Sequence, residues 1–382
     1  MEYIKLTDVC DFQGGSQPPK SEWINKATDG YIRMLQIRDF TQDREEKEFV
    51  KLTNTIKICK KDDVLIARYG ASVGKILTGL EGAYNVAIMK SIPDENKINK
   101  KYLYYYFHTQ YFQHNIKNVG SRAAQAGFNI SELDKFNIYL AELDNQKKIV
   151  EVLDKAQSLI DKKREQIDLL DELVKSRFIE MFGDPILNPK EWQTEKLGNI
   201  SKISRGGSPR PIDKFLGGTI PWIKIGDATA GDDIYIYDTK EKIIEEGVKK
   251  SRLIKKGGLI FANCGVSLGF ARILKIDGCI HDGWLAFEDF EEHLDKIFFL
   301  KSLNYCTEYF RKTAPDGTQP NLNTNIMKEY VQILPPMEKQ KEFSSFIEKI
   351  DEIKSKMETS LSELEDNFNS LMQKALKGEL FN

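Results

Sequence analysis

The strongest constraint on this 382-residue chain is that its second half repeats its first. Lys5-Leu6, followed by Gly14-Gly15-Ser16, returns as Lys196-Leu197, followed by Gly206-Gly207-Ser208. Gly30-Tyr-Ile-Arg-Met-Leu-Gln-Ile-Arg-Asp39 returns as Gly218-Thr-Ile-Pro-Trp-Ile-Lys-Ile-Gly-Asp227, and Gly70-Ala-Ser-Val-Gly74 as Gly265-Val-Ser-Leu-Gly269. Offsets drift between 188 and 196, as loop insertions produce, and settle at 194 from Gln125/Gln319 onward. A repeat of this kind restricts the fold to two copies of one unit.

Within each copy the pattern changes once. Ile32–Ile37, Val64–Ala67 and Ala83–Met89 are apolar, β-branched runs bounded by Gly, Asp and Pro, which predicts short strands. A helix is predicted around Lys101–Lys117, carrying Tyr102-Leu-Tyr-Tyr-Tyr-Phe107, with Ile297–Leu303 as its counterpart. Aromatic clusters can stack on unpaired bases, but at helical spacing beside a sheet they read as core.

Heptads follow. Leu153, Ile160, Ile167, Val174 and Met181 recur every seven residues, with Ile149, Ala156 and Leu170 interleaved. The second copy has Ile347, Lys354, Leu361, Phe368 and Ala375, with Phe343, Ile350, Met357, Leu364 and Leu371 interleaved. Such a register marks coiled-coil seams. Lys163, Arg177 and Lys354 interrupt the seams, and each has an apolar residue at the equivalent place in the other copy. That complementarity favours pairing of the two helices within one chain. The expected fold class is therefore α+β: two β-rich modules in tandem (1–143 and 183–337), each followed by a long helix (144–182 and 338–382), the helices pairing as an antiparallel coiled-coil spacer. From Gln146 to Met181 the first helix would span about 54 Å at 1.5 Å per residue.

Composition narrows the function. Five scattered cysteines without a CxxC pair, and four histidines, suit neither a zinc site nor a disulfide framework. No run approaches the roughly 18 apolar residues of a membrane span, and no secretory signal is visible at the start, so a cytoplasmic location is expected. Net charge is −2 and the pI about 6.2. Modules 1–143 and 183–337 carry 20 basic against 18 acidic and 21 against 21 residues, so both are near neutral. A protein that holds DNA mostly through phosphates is expected to be basic. Tight DNA binding would thus need a partner that supplies positive charge.

Catalytic motifs fail on inspection. Gly70-Ala-Ser72-Val-Gly74 and Gly265-Val-Ser267-Leu-Gly269 fit the nucleophile elbow G-x-S-x-G. A serine nucleophile needs a histidine base, yet His108, His114, His281 and His293 occupy no matched positions. A Gly-hinged turn between strands is the better reading. Methyl transfer lacks its Asn/Asp-Pro-Pro-aromatic motif, and no P-loop occurs. Pro93-Asp-Glu-Asn-Lys97 compresses the letters of a nuclease site into one turn, while Lys61-Asp62-Asp63 and Asp232-Asp233 read as solvated turns.

These features together resemble the specificity (S) subunit of type I restriction–modification systems. The resemblance rests on the duplicated Lys-Leu…Gly-Gly-Ser segment, the repeated Gly-x-Ser-x-Gly turn and the Gln146-Lys-Lys and Gln340-Lys-Glu openings of the helices. The most specific string is Arg177-Phe-Ile-Glu-Met-Phe-Gly-Asp-Pro185…Asn188-Pro-Lys-Glu-Trp192…Lys196-Leu-Gly198, and the likeness covers essentially the whole chain. It implies two target-recognition domains, each reading one half of a split double-stranded DNA site. It further implies helices that dock two methyltransferase (M) subunits, with restriction (R) subunits joining for cleavage. No catalysis and no cofactor are then expected on this chain; S-adenosylmethionine, ATP and Mg belong to the partners. The competing readings are a duplicated protein-binding scaffold assembled through its heptads, and a duplicated hydrolase using Ser72 and Ser267.

DNA contacts would come from polar loop side chains that reach base edges or phosphates. In the first module the candidates are Gln36, Arg38, Arg68, Ser72 and the Ser121-Arg122-Ala-Ala-Gln125 loop. In the second they are Arg205, Ser208, Arg210, Lys224, Asn263, Ser267 and the Asp316-Gly-Thr318-Gln319 loop.

Overall fold

The computed structural model describes residues 3–42, 45–120, 127–229, 233–314 and 321–380. The chain divides into two compact units, one of Met1–Arg164 with Thr359–Asn382 and one of Glu165–Glu358. The division falls inside both long helices.

In the first unit two four-stranded sheets carry the module. One has the order Cys10–Gly14, Ile88–Pro93, Leu65–Ala67, Ile76–Leu77, all antiparallel. The other runs Phe49–Lys51, Tyr31–Leu35, Gly82–Tyr84, Ile58–Cys59, with Tyr31–Leu35 parallel to Gly82–Tyr84. A further pair closes the module: Tyr3–Lys5 lies antiparallel to Asn137–Tyr139, the last strand before the long helix. The second unit repeats this order, with Lys202–Arg205, Trp284–Glu288, Leu259–Ala262 and Ala271–Leu274 in one sheet, extended by Tyr235–Ile236. Its other sheet is Glu241–Ile243, Leu216–Ile223, Gly278–Ile280, Arg252–Ile254, and Gln193–Lys196 pairs with Val331–Leu334.

Two sequence expectations break at identifiable residues. The run Ala83–Met89 is two strands, because Asn85 accepts from the Ala87 amide and turns the chain between them. The helix expected around Lys101–Lys117 is two helices, Lys100–His108 and Gln110–Gly120. Thr109 adopts extended backbone between them, and its hydroxyl donates to Tyr106 O at 2.7 Å. The first helix starts where Asn99 Oδ1 accepts from the amides of Lys101 and Tyr102, and its counterpart starts where Asp295 does the same for Ile297 and Phe298. The aromatic run is core: Tyr102, Tyr105, Tyr106 and Phe107 are buried, as are Ile297, Phe298, Phe299, Leu300 and Leu303.

The long helices run Leu143–Phe182 and Met337–Leu376. Gly183 and Gly378, both at φ +76°, terminate them in the left-handed region that glycine tolerates. Leu153, Ile160, Ile167, Ile347 and Ile350 are buried, while Leu170, Val174, Met357, Leu361, Leu364, Phe368 and Leu371 are half-buried, with mostly exposed residues between. Within the first unit, Ile149 and Leu153 share a core with Met372 and Leu376, and Arg164 pairs with Glu365. Within the second, Asp171 meets Lys354 at 2.8 Å and Arg177 meets Glu342 at 2.9 Å. In both cases one number rises as the other falls, so the packing is antiparallel. Two of the seam interruptions are therefore filled by cross-helix ion pairs rather than left facing apolar groups.

The turn Lys61-Asp62-Asp63 is solvated at Lys61 and Asp62 but not at Asp63. Asp63 is only 7% exposed, and its carboxylate meets Lys90 Nζ at 2.6 Å and Lys100 Nζ at 3.5 Å. Asp233 is exposed as expected, and its carboxylate also reaches Lys301 at 2.8 Å. Each aspartate carries a module helix or strand against its neighbour.

Candidate nucleic-acid interface

The repeated Gly-x-Ser-x-Gly segment is a tight turn in both copies. Gly70 and Gly74 sit at φ +72° and +83°, Gly265 and Gly269 at +72° and +103°. The turn closes with Gly74 N donating to Ala67 O and Gly269 N to Ala262 O, both at 2.9 Å. Histidine chemistry goes elsewhere: His108 Nδ1 meets Tyr104 O, His114 Nε2 meets Asn118, and His281 Nδ1 accepts from the Gly283 amide. The elbow resemblance is backbone geometry, required where strands Leu65–Ala67 and Leu259–Ala262 reverse.

The residue before each turn bridges to the far side of a candidate loop, Tyr69 to Gly127 and Cys264 to Asn321. Arg68 is committed to this junction, its Nε donating to Phe128 O at 2.7 Å and a terminal nitrogen to Asn129 Oδ1 at 2.6 Å. Asn263 must be withdrawn from the DNA contacts. Its side chain is fully buried and donates to Asn321 Oδ1 at 3.2 Å, so it ties Asn321 to the turn and does not present its amide at the surface. Ser72 and Ser267 lie half-buried within the turns. Ser121, Arg122, Gln125, Asp316, Thr318 and Gln319 lie outside the described residues.

The remaining candidates gather around acids that pattern reading missed. In the first module Gln36 Nε2 donates to Glu48 at 2.6 Å, Arg38 to the same oxygen at 3.0 Å, and Lys20 also pairs with Glu48. Burial pushes the Glu48 carboxyl up, but these donors, Lys20 foremost, leave it below the usual carboxylate range. In the second module Lys224, which stands where Gln36 stands in the repeat, pairs with Glu241. Asp39 and Asp227 accept from the Gln36 and Lys224 amides, both at 2.8 Å. Register across the sheets would have revealed the matched acids, since Glu48 immediately precedes strand Phe49–Lys51 beside Met34 and Glu241 opens the equivalent strand Glu241–Ile243 opposite Trp222.

Arg205, Ser208 and Arg210 converge on Asp282. Arg205 Nε donates to Asp282 O at 2.9 Å, Ser208 Oγ to Oδ1 at 2.6 Å, and Arg210 approaches Oδ2 at 3.9 Å. The repeat is also offset here by one residue from its letter match. Ser16 N and Gly207 N donate to Tyr84 O and Ile280 O, both at 3.0 Å, so Gly15-Ser16 is the spatial counterpart of Gly206-Gly207. A Cβ on Gly15 or Gly206 would lie 2.1 Å from a backbone carbonyl oxygen, which explains why both are glycine. Ser208 has no serine counterpart.

Among the described residues no group of His, Cys, Asp or Glu could hold a metal ion, and no helix is long and apolar enough to cross a membrane. The five cysteines are free, and burial raises the thiols, Cys10 to about 12 and Cys59 to about 11.

Known proteins give the same picture. The specificity subunit of the type I restriction enzyme MjaVIII from Methanocaldococcus jannaschii is 22% identical, over 99% of this chain and 92% of that one. The MjaIX specificity subunit of the same organism is 24% identical, over 98% and 92%. Among solved structures, a chain from a study of complex assembly and conformational transition of the type I R-M system aligns with TM-score 0.62 at 16% identity, covering 99% of this chain and 98% of that one. The type I restriction–modification S subunit from M. genitalium aligns with TM-score 0.52 at 16% identity, covering 98% and 96%; both share the fold. The profile of the type I restriction modification DNA specificity domain matches residues 1–170 and again 189–366, and the chain belongs to that family.

Proposed function

We propose that this chain is the sequence-reading subunit of a type I restriction–modification complex and recognises an asymmetric, bipartite double-stranded DNA site with a fixed gap. Residues 1–143 read one half and residues 183–337 the other, while helices 144–182 and 338–382 form the spacer that sets the gap. The observation that carries this is one fold made twice with different polar side chains at equivalent places, Gln36 against Lys224 being the plainest pair. Two identical readers would recognise a symmetric site; two diverged ones recognise an asymmetric site.

The spacer helices dock two M subunits, and R subunits join for cleavage. Leu159 and Ile353, 194 positions apart, are 57% and 46% exposed. These exposed apolar side chains at matched positions are the candidate contacts for two copies of one partner. Chemistry and its cofactors, S-adenosylmethionine, ATP and Mg, reside on the partners, and the complex works in the cytoplasm. The partners also supply the positive field that near-neutral modules lack. The test is methylome sequencing of the host with and without this gene. Adenine methylation should vanish at one split motif; an unchanged methylome overturns the reading.

A further inference from the structure

Two copies of one module that read different sequences must agree where they fold and differ where they read. On that premise, which rests on the function proposed above, sheet register identifies reading positions. Gly15 N donates to Ile88 O and Gly206 N to Trp284 O, so Ile88 and Trp284 are equivalent and so are Val86 and Asp282 two residues earlier. Gly14 lies opposite Met89 and Arg205 opposite Leu285, which makes Gly14 and Arg205 equivalent. The backbone is kept here, but the side chains are not. An exposed valine and a glycine in the first module become an aspartate and an arginine in the second.

These substitutions form one connected group. Ser208 and Arg205 are hydrogen-bonded to Asp282, Arg210 stands 3.9 Å from its second carboxylate oxygen, and Arg252 Nε donates to Arg205 O at 2.7 Å. The group is open to solvent: the Arg210 and Asp282 side chains are 79% and 48% exposed. An ion pair this exposed contributes little to stability, so folding does not account for it. Its chemistry matches one base pair. A guanidinium fork fits guanine O6 and N7, and a carboxylate accepts from the cytosine N4 amino group, both at the major-groove edge.

We infer that Asp282, with Arg210 and the orienting hydroxyl of Ser208, is the specificity determinant of the second module and reads a G·C pair in its half-site. Asp282 contacts the base edge, and its second carboxylate oxygen lies 3.9 Å from Arg210, so that the two side chains approach one base pair together.

The test uses the full chain assembled with its M subunits, and a panel of duplexes carrying every single substitution in the methylated motif. Asp282→Asn keeps the shape and removes the charge. Discrimination at one G·C position of the second half-site should fall about tenfold or more, with discrimination in the first half-site unchanged. Ser208→Ala, which spares the carboxylate, should weaken the same position less, and serves if the first variant fails to assemble. Unchanged discrimination in the second half-site, or equal loss in both, overturns the inference. A wild-type complex that discriminates at no position would instead overturn the functional reading beneath it.

Discussion

Gln146 and Gln340, 194 residues apart, make the same three hydrogen bonds from fully buried side chains. Gln146 Oε1 accepts from Asn99 N at 2.7 Å, and its Nε2 donates to Lys97 O at 2.9 Å and Ala141 O at 2.7 Å. Gln340 accepts from Asp295 N at 2.8 Å and donates to His293 O at 3.1 Å and Pro335 O at 2.8 Å. An amide offers an acceptor and two donors on one planar group. Here it satisfies one orphan amide and two orphan carbonyls where the module helix, the last strand and the long helix meet.

Replacing Gln146 by leucine should therefore cost more than a missing contact. Three buried polar groups lose their partner, and each unmade bond of this kind costs about 1–3 kcal/mol before relaxation. We expect Gln146→Leu to lower unfolding stability by roughly 3 kcal/mol, measured by urea denaturation, and Gln340→Leu to do the same. A loss under about 0.5 kcal/mol would show that water satisfies these groups instead.

Gly206→Ala should be far worse than Gly226→Ala. The added Cβ meets His281 O at 2.1 Å in the first case and nothing within 4 Å in the second. Relief requires strand movement, so about 3 kcal/mol or more is expected against under about 1 kcal/mol for the control. Comparable melting temperatures for the two variants would contradict the close approach.

Asp63 should contribute stability that acid removes. Burial raises its carboxyl, but the Lys90 hydrogen bond, the Lys60 amide and the two ammonium charges outweigh that, leaving it below the ordinary 3.8. A depressed folded pKa means the contribution is complete above the unfolded value and disappears as pH falls through the folded one. Asp63→Asn should thus be less stable by about 1–2 kcal/mol at pH 7. The gap to wild type should close only below about pH 3.8. A gap that persists unchanged to pH 3, in denaturation midpoints followed across pH, would rule the charge out as its cause.

Module exchange tests independence of the readers. Substituting residues 1–143 with the same segment of a relative should change one half of the methylated motif and leave the other intact. Change in both halves would mean the modules do not read separately.

Leu159→Asp and Ile353→Asp test the docking proposal. Each should remove one M subunit, and the double variant both, as read by native mass spectrometry of the complex. Folding should survive, because both side chains are exposed. A single variant that sheds both subunits, or neither, contradicts equivalent docking.

The duplication, the two seams and the turn glycines were legible because each is a local or periodic property. A heptad is visible every seven residues, and a glycine at positive φ stays glycine wherever the chain reverses. The aromatic helix was legible as core for the same reason. What distance along the chain hides, only tertiary structure decided. Asp282 meets Ser208 across 74 positions, and Asp63 is buried against Lys90 and Lys100, which arrive from later elements, while Lys61 and Asp62 beside it stay exposed. Asn263 looked like an exposed loop amide until Asn321 covered it. The letter match of Gly14-Gly15-Ser16 to Gly206-Gly207-Ser208 was one residue out because strings align by identity, whereas strands align by hydrogen bonds.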